Sequence, residues 1–300
     1  VRNRWKCNFF IALVTTWSFT AVAASLKPFH QMTPTEIDAL VKETSKTVPS
    51  AKDRFLLYSE RFLGVPYRLF PLGLAPVNGK EDPPIRFDVA DCTTMIETLI
   101  ALSFANNLEE ATTLMARVRY KNGVVRQQTK NDYPETDWIP NNISAGFLQD
   151  ITSRMAGKKT AFSTKVIRVK QYNEQELAQL QELTRKDPEK AIDFLRDLNP
   201  MGKPKEKQAK LPYLPLGLLT TVGGQIPSGT IFSIVREDRP DKEVAVTHQG
   251  LIIQKADGPY VRHMAFKEQG LDIPMLAYFG KYKDSQWKVL GINLTLIKGP

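Results

Sequence analysis

The sequence predicts an α+β fold, a helical first half followed by a mostly antiparallel sheet. Two observations carry this: apolar residues recur at helical spacing up to about residue 119, and the final third holds short β-branched runs separated by turn residues. With 42% hydrophobic and 24% charged residues in 300, the composition is that of a globular chain and excludes disordered and fibrous classes.

Thr33-Pro34-Thr35-Glu36 reads as a helix start, with Thr33 as cap and Pro34 at the first helical position; Ile37, Leu40 and Val41 follow on one face. A second helix is expected from about Lys52 to Leu63, stopping at Gly64 before Pro66. Residues 68–90, rich in Pro and Gly, read as a long loop. An apolar helix is expected from Thr93 to Phe104, then one from Glu109 to Arg119. Residues 123–143 read as strand or loop, and Glu174–Leu198 as one or two polar helices broken at Asp187-Pro188. Lys203–Lys210 reads as a solvated basic connector. Strands are expected at Thr230–Val235, Val244–Ile253, Tyr260–Ala265 and Lys288–Ile297, with a turn at Ala256-Asp257-Gly258-Pro259.

The first residues read as an export signal. Arg2, Arg4 and Lys6 precede an apolar stretch from Phe9 to about Phe19, and Ala21-Val22-Ala23 supplies the small residues of a cleavage site. That stretch is shorter than the roughly 20 apolar residues a membrane span needs. The expected division is a signal peptide at 1–23, a helical segment at 24–49 and one domain at 50–300, in a secreted or periplasmic protein with no stable membrane insertion after cleavage. Loss of Cys7 would leave Cys92 as a lone thiol in an oxidising compartment, either buried and inert or kept for its chemistry.

The formal charge of +9 suits an anionic partner such as cell-wall polymer or a membrane surface. No zinc-finger spacing, Walker loop or aromatic-basic signature points to nucleic acid, and none is expected as partner. Nor does the sequence call for a metal or an organic cofactor.

Asp91-Cys92-Thr93-Thr94 stands before the apolar helix, so Asp91 can cap it and Cys92 falls in its first turn. Free N–H groups and the helix dipole there favour a thiolate, and a lowered thiol pKa is expected. His248 and His263 lie on consecutive strands, and folding them about their turn brings the rings within about two positions of being opposite, about 5–8 Å apart. One ring could then take the thiol proton while the other orients it. The alternatives are a small buried residue at a helix start and two unrelated structural histidines.

These residues resemble the NlpC-type cell-wall cysteine peptidases of the papain-like clan, in particular the N-acetylmuramoyl-L-alanine amidase-like branch. The resemblance runs in ordered blocks from about Ser50 onward: Gly64-Val65-Pro66-Tyr67, Asp91 to Thr94, Arg119 to Gly123, Tyr133 with Asp137-Trp138, Ser228-Gly229, Thr247 to Gly250, Arg262-His263 and Gly291 to Asn293. It implies a papain-like core, with the nucleophile's helix on an antiparallel sheet and a large insertion at about 106–227. It also implies Cys92 as nucleophile, His248 as base and His263 as its orienting partner. Tyr67 matches an oxyanion or substrate-positioning tyrosine, Asp91 shapes the turn and with Thr93 lies at the substrate, and Asp137 and Trp138 line the cleft, with core packing the alternative for Trp138. Asn131-Asp132-Tyr133 departs from the basic-His-Tyr pattern of the branch. The expected activity is amide hydrolysis in peptidoglycan or a muropeptide, in the stem peptide or at its muramic acid junction, through a thioester. Wall binding with a vestigial cleft and lipid-directed thioester chemistry are the other readings.

Overall fold

Among the described residues, eight strands form one sheet ordered β2-β3-β8-β4-β5-β6-β7, with short β1 paired to β8, every pairing antiparallel. The computed structural model describes residues 26–74, 76, 83–169, 172–197 and 205–299. The expected signal segment, with Cys7, lies outside the described residues.

Helices come first. The first two, α1 (Pro34–Thr47) and α2 (Ala51–Glu60), start at Thr33 and Ser50, and Thr33 forms a reciprocal capping box with Glu36. Then come α3 (Cys92–Phe104) and α4 (Leu108–Arg119). Residues 123–143, expected as strand or loop, are largely loop up to Tyr133, but Pro134–Trp138 is a π-helical turn running into α5 (Ile139–Ser144). Pro at the first turn position, with the ring of Trp138 to bury, favours this over an extended path.

Next are β1 (Leu148–Asp150), α6 (Thr152–Ala156) and β2 (Ala161–Val169). The break at Pro188 separates α7 (Glu174–Lys186) from α8 (Pro188–Asp197), as Asp187-Pro188 dictates. The basic connector is instead part of a strand, β3 (Lys205–Pro215), paired with β2 over nine positions. Its lysines lie on both faces, Lys205 and Lys207 on the face of the buried Ala209 and Leu211, and the charges hide the strand from a reading based on apolar runs.

The last third holds α9 (Leu219–Val222), β4 (Thr230–Arg236), β5 (Val246–Lys255), β6 (Gly258–Met264), β7 (Gly270–Pro274), α10 (Met275–Gly280) and β8 (Val289–Ile297). Strand β4 is central and buried on both faces. Ile231 and Val235 pack with α1–α4, while Phe232 and Ile234 join a second core with Tyr278 and Phe279 of α10. The sheet is therefore the middle layer of three. The segment 106–227 reaches into both outer layers: Leu114, Met115, Val118 and Trp138 lie in one core, Leu214 and Leu219 in the other.

Candidate active site

Asp91 fixes the start of α3. Its Oδ1 accepts from the N–H groups of Thr93 (3.1 Å) and Thr94 (2.8 Å), while Thr94 Oγ1 accepts from the Asp91 N–H at 2.9 Å. Its Oδ2 accepts from the Phe70 N–H at 3.1 Å. The carboxylate is thereby committed to holding the turn that presents Cys92 as the first helical residue. At that position the Cys92 N–H has no intrahelical acceptor.

His248 sits where β5 departs from regular pairing. From Ser233 to Val235 two steps of β4 face three steps of β5, from Gln249 back to Val246. The extra residue is a β-bulge at Thr247-His248, a device that re-aims a side chain beside a site. As a result Val246 packs in the first core while Ile252 packs in the second, where strict alternation would put them together.

His248 Nε2 lies 3.0 Å from His263 Nδ1, the ring centroids 5.1 Å apart and nearly perpendicular. The Tyr278 ring lies against both, 4.7 Å from His263 and 6.4 Å from His248. The diagonal relation follows from the β5–β6 register, Leu251 opposite Arg262 and Ile252 opposite Val261. Gly250 is required here, because a Cβ would come within 2.8 Å of the Arg262 carbonyl oxygen and 2.7 Å of the Phe232 ring.

A cavity of about 680 Å3 is lined by Cys92, His248, Thr247, Tyr67, Phe266 and Ile192. Tyr67 is placed by its N–H bond to the Glu268 carbonyl at 2.8 Å and a bridge to Ala90, next to Asp91. Its roof is α8, whose Glu189 pairs with Lys267 at 2.6 Å. Below it, Arg68 donates to the carbonyls of Arg185 (2.6 Å) and Thr184 (3.3 Å) at the end of α7.

The electrostatics overturn one expectation. Burial, then the Asp91 carboxylate, push the Cys92 thiol up to about 12 rather than down. Hydrogen bonds from the Gln249 N–H and Thr93 act the other way but do not win. Cys92 is half-buried beside the Asp91 carboxylate, and desolvation of a thiolate outweighs the helix-terminus field. Burial, with His263 and Lys281 beside it, holds His248 down to about 3; burial and Lys281 hold His263 at about 4. Thiol and imidazoles are all neutral near pH 7. Burial, Asp91 and Cys92 raise the Tyr67 phenol above its ordinary range, so it remains a donor.

The other expected site residues do not line the cavity that holds Cys92. Asp91, Thr93 and Asp137 line a second cavity of about 750 Å3, and Asp137 pairs with Lys207 at 2.5 Å. Trp138 does not line a cleft. It is 1% exposed, and its Nε1–H donates to Glu97 Oε1 at 3.0 Å, beside the buried Glu97–Arg119 pair at 2.5 Å. A ring of that size gains more from burial at the α3–α4 junction than a half-open wall would give.

Gln249 is the residue that reading the sequence for its site overlooked. It is 1% exposed, accepts from Thr93 Oγ1 and donates to Ser233 Oγ, both at 3.1 Å. It ties the cysteine's helix to β5 and β4 at once. Its signals in the sequence were its place beside His248 and within the Thr247 to Gly250 block.

The family model described as AmiA-like, N-acetylmuramoyl-L-alanine amidase-like, matches residues 57–285. Among solved structures, a Legionella pneumophila protein of the DUF1460 family superposes with TM-score 0.69 at 22% identity, over 89% of this chain and 96% of that one. An N-acetylmuramoyl-L-alanine amidase from Bacteroides uniformis gives TM-score 0.53 at 21% identity, over 83% and 99%. A Bacteroides fragilis protein provisionally named a xylanase gives 0.53 at 20%, over 79% and 98%. At these identities the likenesses speak to fold. No curated protein matches the chain in sequence.

Proposed function

The chain belongs to the AmiA-like, N-acetylmuramoyl-L-alanine amidase-like family, and from that premise we propose that it is an exported cysteine amidase acting on peptidoglycan or its muropeptides. The observation that carries this reading is that Cys92, first in α3, and His248, held by His263, line one cavity. The family's name points to the amide between muramic acid and L-alanine. We read α3 against the sheet as an NlpC-type core, and the basic excess of the chain suits an anionic wall polymer.

The hydrogen-bond geometry supports the following roles. His248 must accept a proton on Nδ1, so its Nε2–H donates to His263 Nδ1, and His263 carries its own proton on Nε2. With a neutral thiol at rest, the proton passes from Sγ to His248 Nδ1 as sulfur attacks the amide carbonyl. The Cys92 N–H and the Tyr67 hydroxyl are the donors for the developing oxyanion. The tetrahedral adduct collapses as His248 returns the proton to the departing amine, leaving a thioester. Water, deprotonated by His248, then releases the acid and restores the thiol.

The test is direct. Purified residues 26–300 should release L-alanine or an L-alanyl peptide from N-acetylmuramoyl-peptides, and Cys92→Ala should lose at least a thousandfold in kcat. Full activity in that variant would remove Cys92 from the mechanism. Binding to isolated wall without any release would favour a non-catalytic wall-binding role.

A further inference from the structure

We propose that this chain forms a symmetric dimer in which β2 pairs antiparallel with β2 of a second copy about an axis at Thr164. Strand β2 stands at one end of the sheet, and among the described residues only β3 pairs with it. Its outward N–H and C=O groups make no hydrogen bond to another described residue. An open edge nine residues long is a template for a further strand. The opposite end of the sheet is blunted. There β7 is five residues long, closes on Pro274, and its Gly270 exchanges hydrogen bonds with Gly64 and Val65 at 2.8 and 2.9 Å. Pairing through β2 about a two-fold axis therefore ends at two chains.

The side chains of this edge complement their own reverse order. Phe162, Thr164 and Val166 share the outer face, while Ser163, Lys165 and Ile167 on the inner face are buried. Phe162 is 53% exposed and Val166 46%, an apolar pair on an open edge, which is the pattern of an association site. About an axis at Thr164, Phe162 faces Val166 of the second copy and Thr164 faces its own counterpart. Aromatic with β-branched and Thr with Thr are favoured pairs across antiparallel strands. On the inner face Ser163 meets Lys165 and Ala161 meets Ile167, so no like charges stand opposite each other. An axis one residue further on would set two Lys165 side chains face to face, which is unfavourable. Lys165 does not guard the edge, because its Nζ donates to Asp238 (2.6 Å) and to the Arg239 carbonyl (2.9 Å) of its own chain. Strands β3, β8 and β4 lie between β2 and β5, so the pairing is remote from His248.

Sedimentation velocity of the purified protein over a concentration series should show a reversible dimer, with a dissociation constant in about the micromolar range expected of a small edge contact. In a Cys92→Ala background, Thr164→Cys should cross-link the dimer under mild oxidation, because directly opposed residues lie about 4.5–5.5 Å apart. Phe162→Cys, four positions out of register with its counterpart, should not. Phe162→Glu and Val166→Lys should each weaken the dimer at least tenfold. Mixing those two variants sets opposite charges across the axis and should restore association; thermal melts control for folding. A protein that stays monomeric throughout the series would overturn the proposal. So would cross-linking through Phe162→Cys rather than Thr164→Cys, or a dimer that survives both single charge changes.

Discussion

His248 Nε2 and His263 Nδ1 stand 3.0 Å apart, so each ring determines which nitrogen of the other carries a proton. If His248 is the base, His263 works only as an acceptor at Nδ1. His263→Ala should therefore lower kcat on N-acetylmuramoyl-L-alanine a hundredfold or more. His263→Asn, which keeps an acceptor oxygen, should stay within about tenfold of wild type. Equal kcat values for the two variants would remove His263 from this role.

Most of the helices and four of the strands were legible because each carries its own local signal: the Thr33 and Asp91 caps, the Pro188 break, the apolar runs of β4 and β8. What was not legible depends on tertiary partners. β3 reads as basic connector because only its pairing with β2 makes it a strand, and the π-turn at Pro134 exists to bury Trp138. The Cys92–His248–His263 set was legible from residue type and turn position. The direction of the thiol's shift was not, since burial and Asp91 oppose the helix terminus and the outcome depends on how tightly protein surrounds the sulfur. Nor was Gln249, whose importance lies in reaching two strands and a helix at once.

The histidines also predict an acid-sensitive fold. Burial holds His248 at about 3 and His263 at about 4, against about 6.5 in the unfolded chain. Between those values the unfolded state binds more protons, so stability is complete above about pH 6.5 and is lost as pH falls toward 3–4. The rings titrate as a pair, and the loss should be on the order of a few kcal/mol. Urea unfolding at pH 7 and pH 4.5 measures it. If a double His248→Asn, His263→Asn variant is as acid-sensitive as wild type, this attribution fails.

A thiol pushed up to about 12 should be a poor nucleophile toward small electrophiles. Iodoacetamide should label Cys92 more slowly than free cysteine at pH 7, with the rate climbing steeply above pH 9. Labelling at pH 6 as fast as at pH 8 would indicate a thiolate–imidazolium pair instead.

Gln249→Ala would leave the buried Ser233 hydroxyl and the half-buried Thr93 hydroxyl without this partner, at a cost of about 1–3 kcal/mol. It should lower the melting temperature and reduce kcat about tenfold, with KM moving less, because the helix carrying Cys92 loses its tie to the strand carrying His248. Gln249→Glu keeps the shape but adds a carboxylate beside the thiol, and should slow iodoacetamide labelling further. Unchanged kcat in both variants would reduce Gln249 to packing.

Helix α8 lines the cavity that holds Cys92, so the α7–α8 hairpin is expected to control entry, and its two attachments differ in kind. The Glu189–Lys267 pair is well exposed, 63% and 61%, so its effect on stability is small and screened by salt. It nonetheless latches the helix whose Ile192 lines the cavity to the segment bearing Phe266. Arg68 instead binds the last carbonyls of α7, where a cation also complements the helix dipole. Lys267→Glu should raise the rate of iodoacetamide labelling of Cys92 a few-fold at low salt without shifting the melting temperature, and pairing it with Glu189→Lys should restore the slow rate. Arg68→Ala should raise the labelling rate more, at any salt, and expose the hairpin to limited proteolysis. Labelling rates indifferent to all three changes would mean that α8 does not control entry.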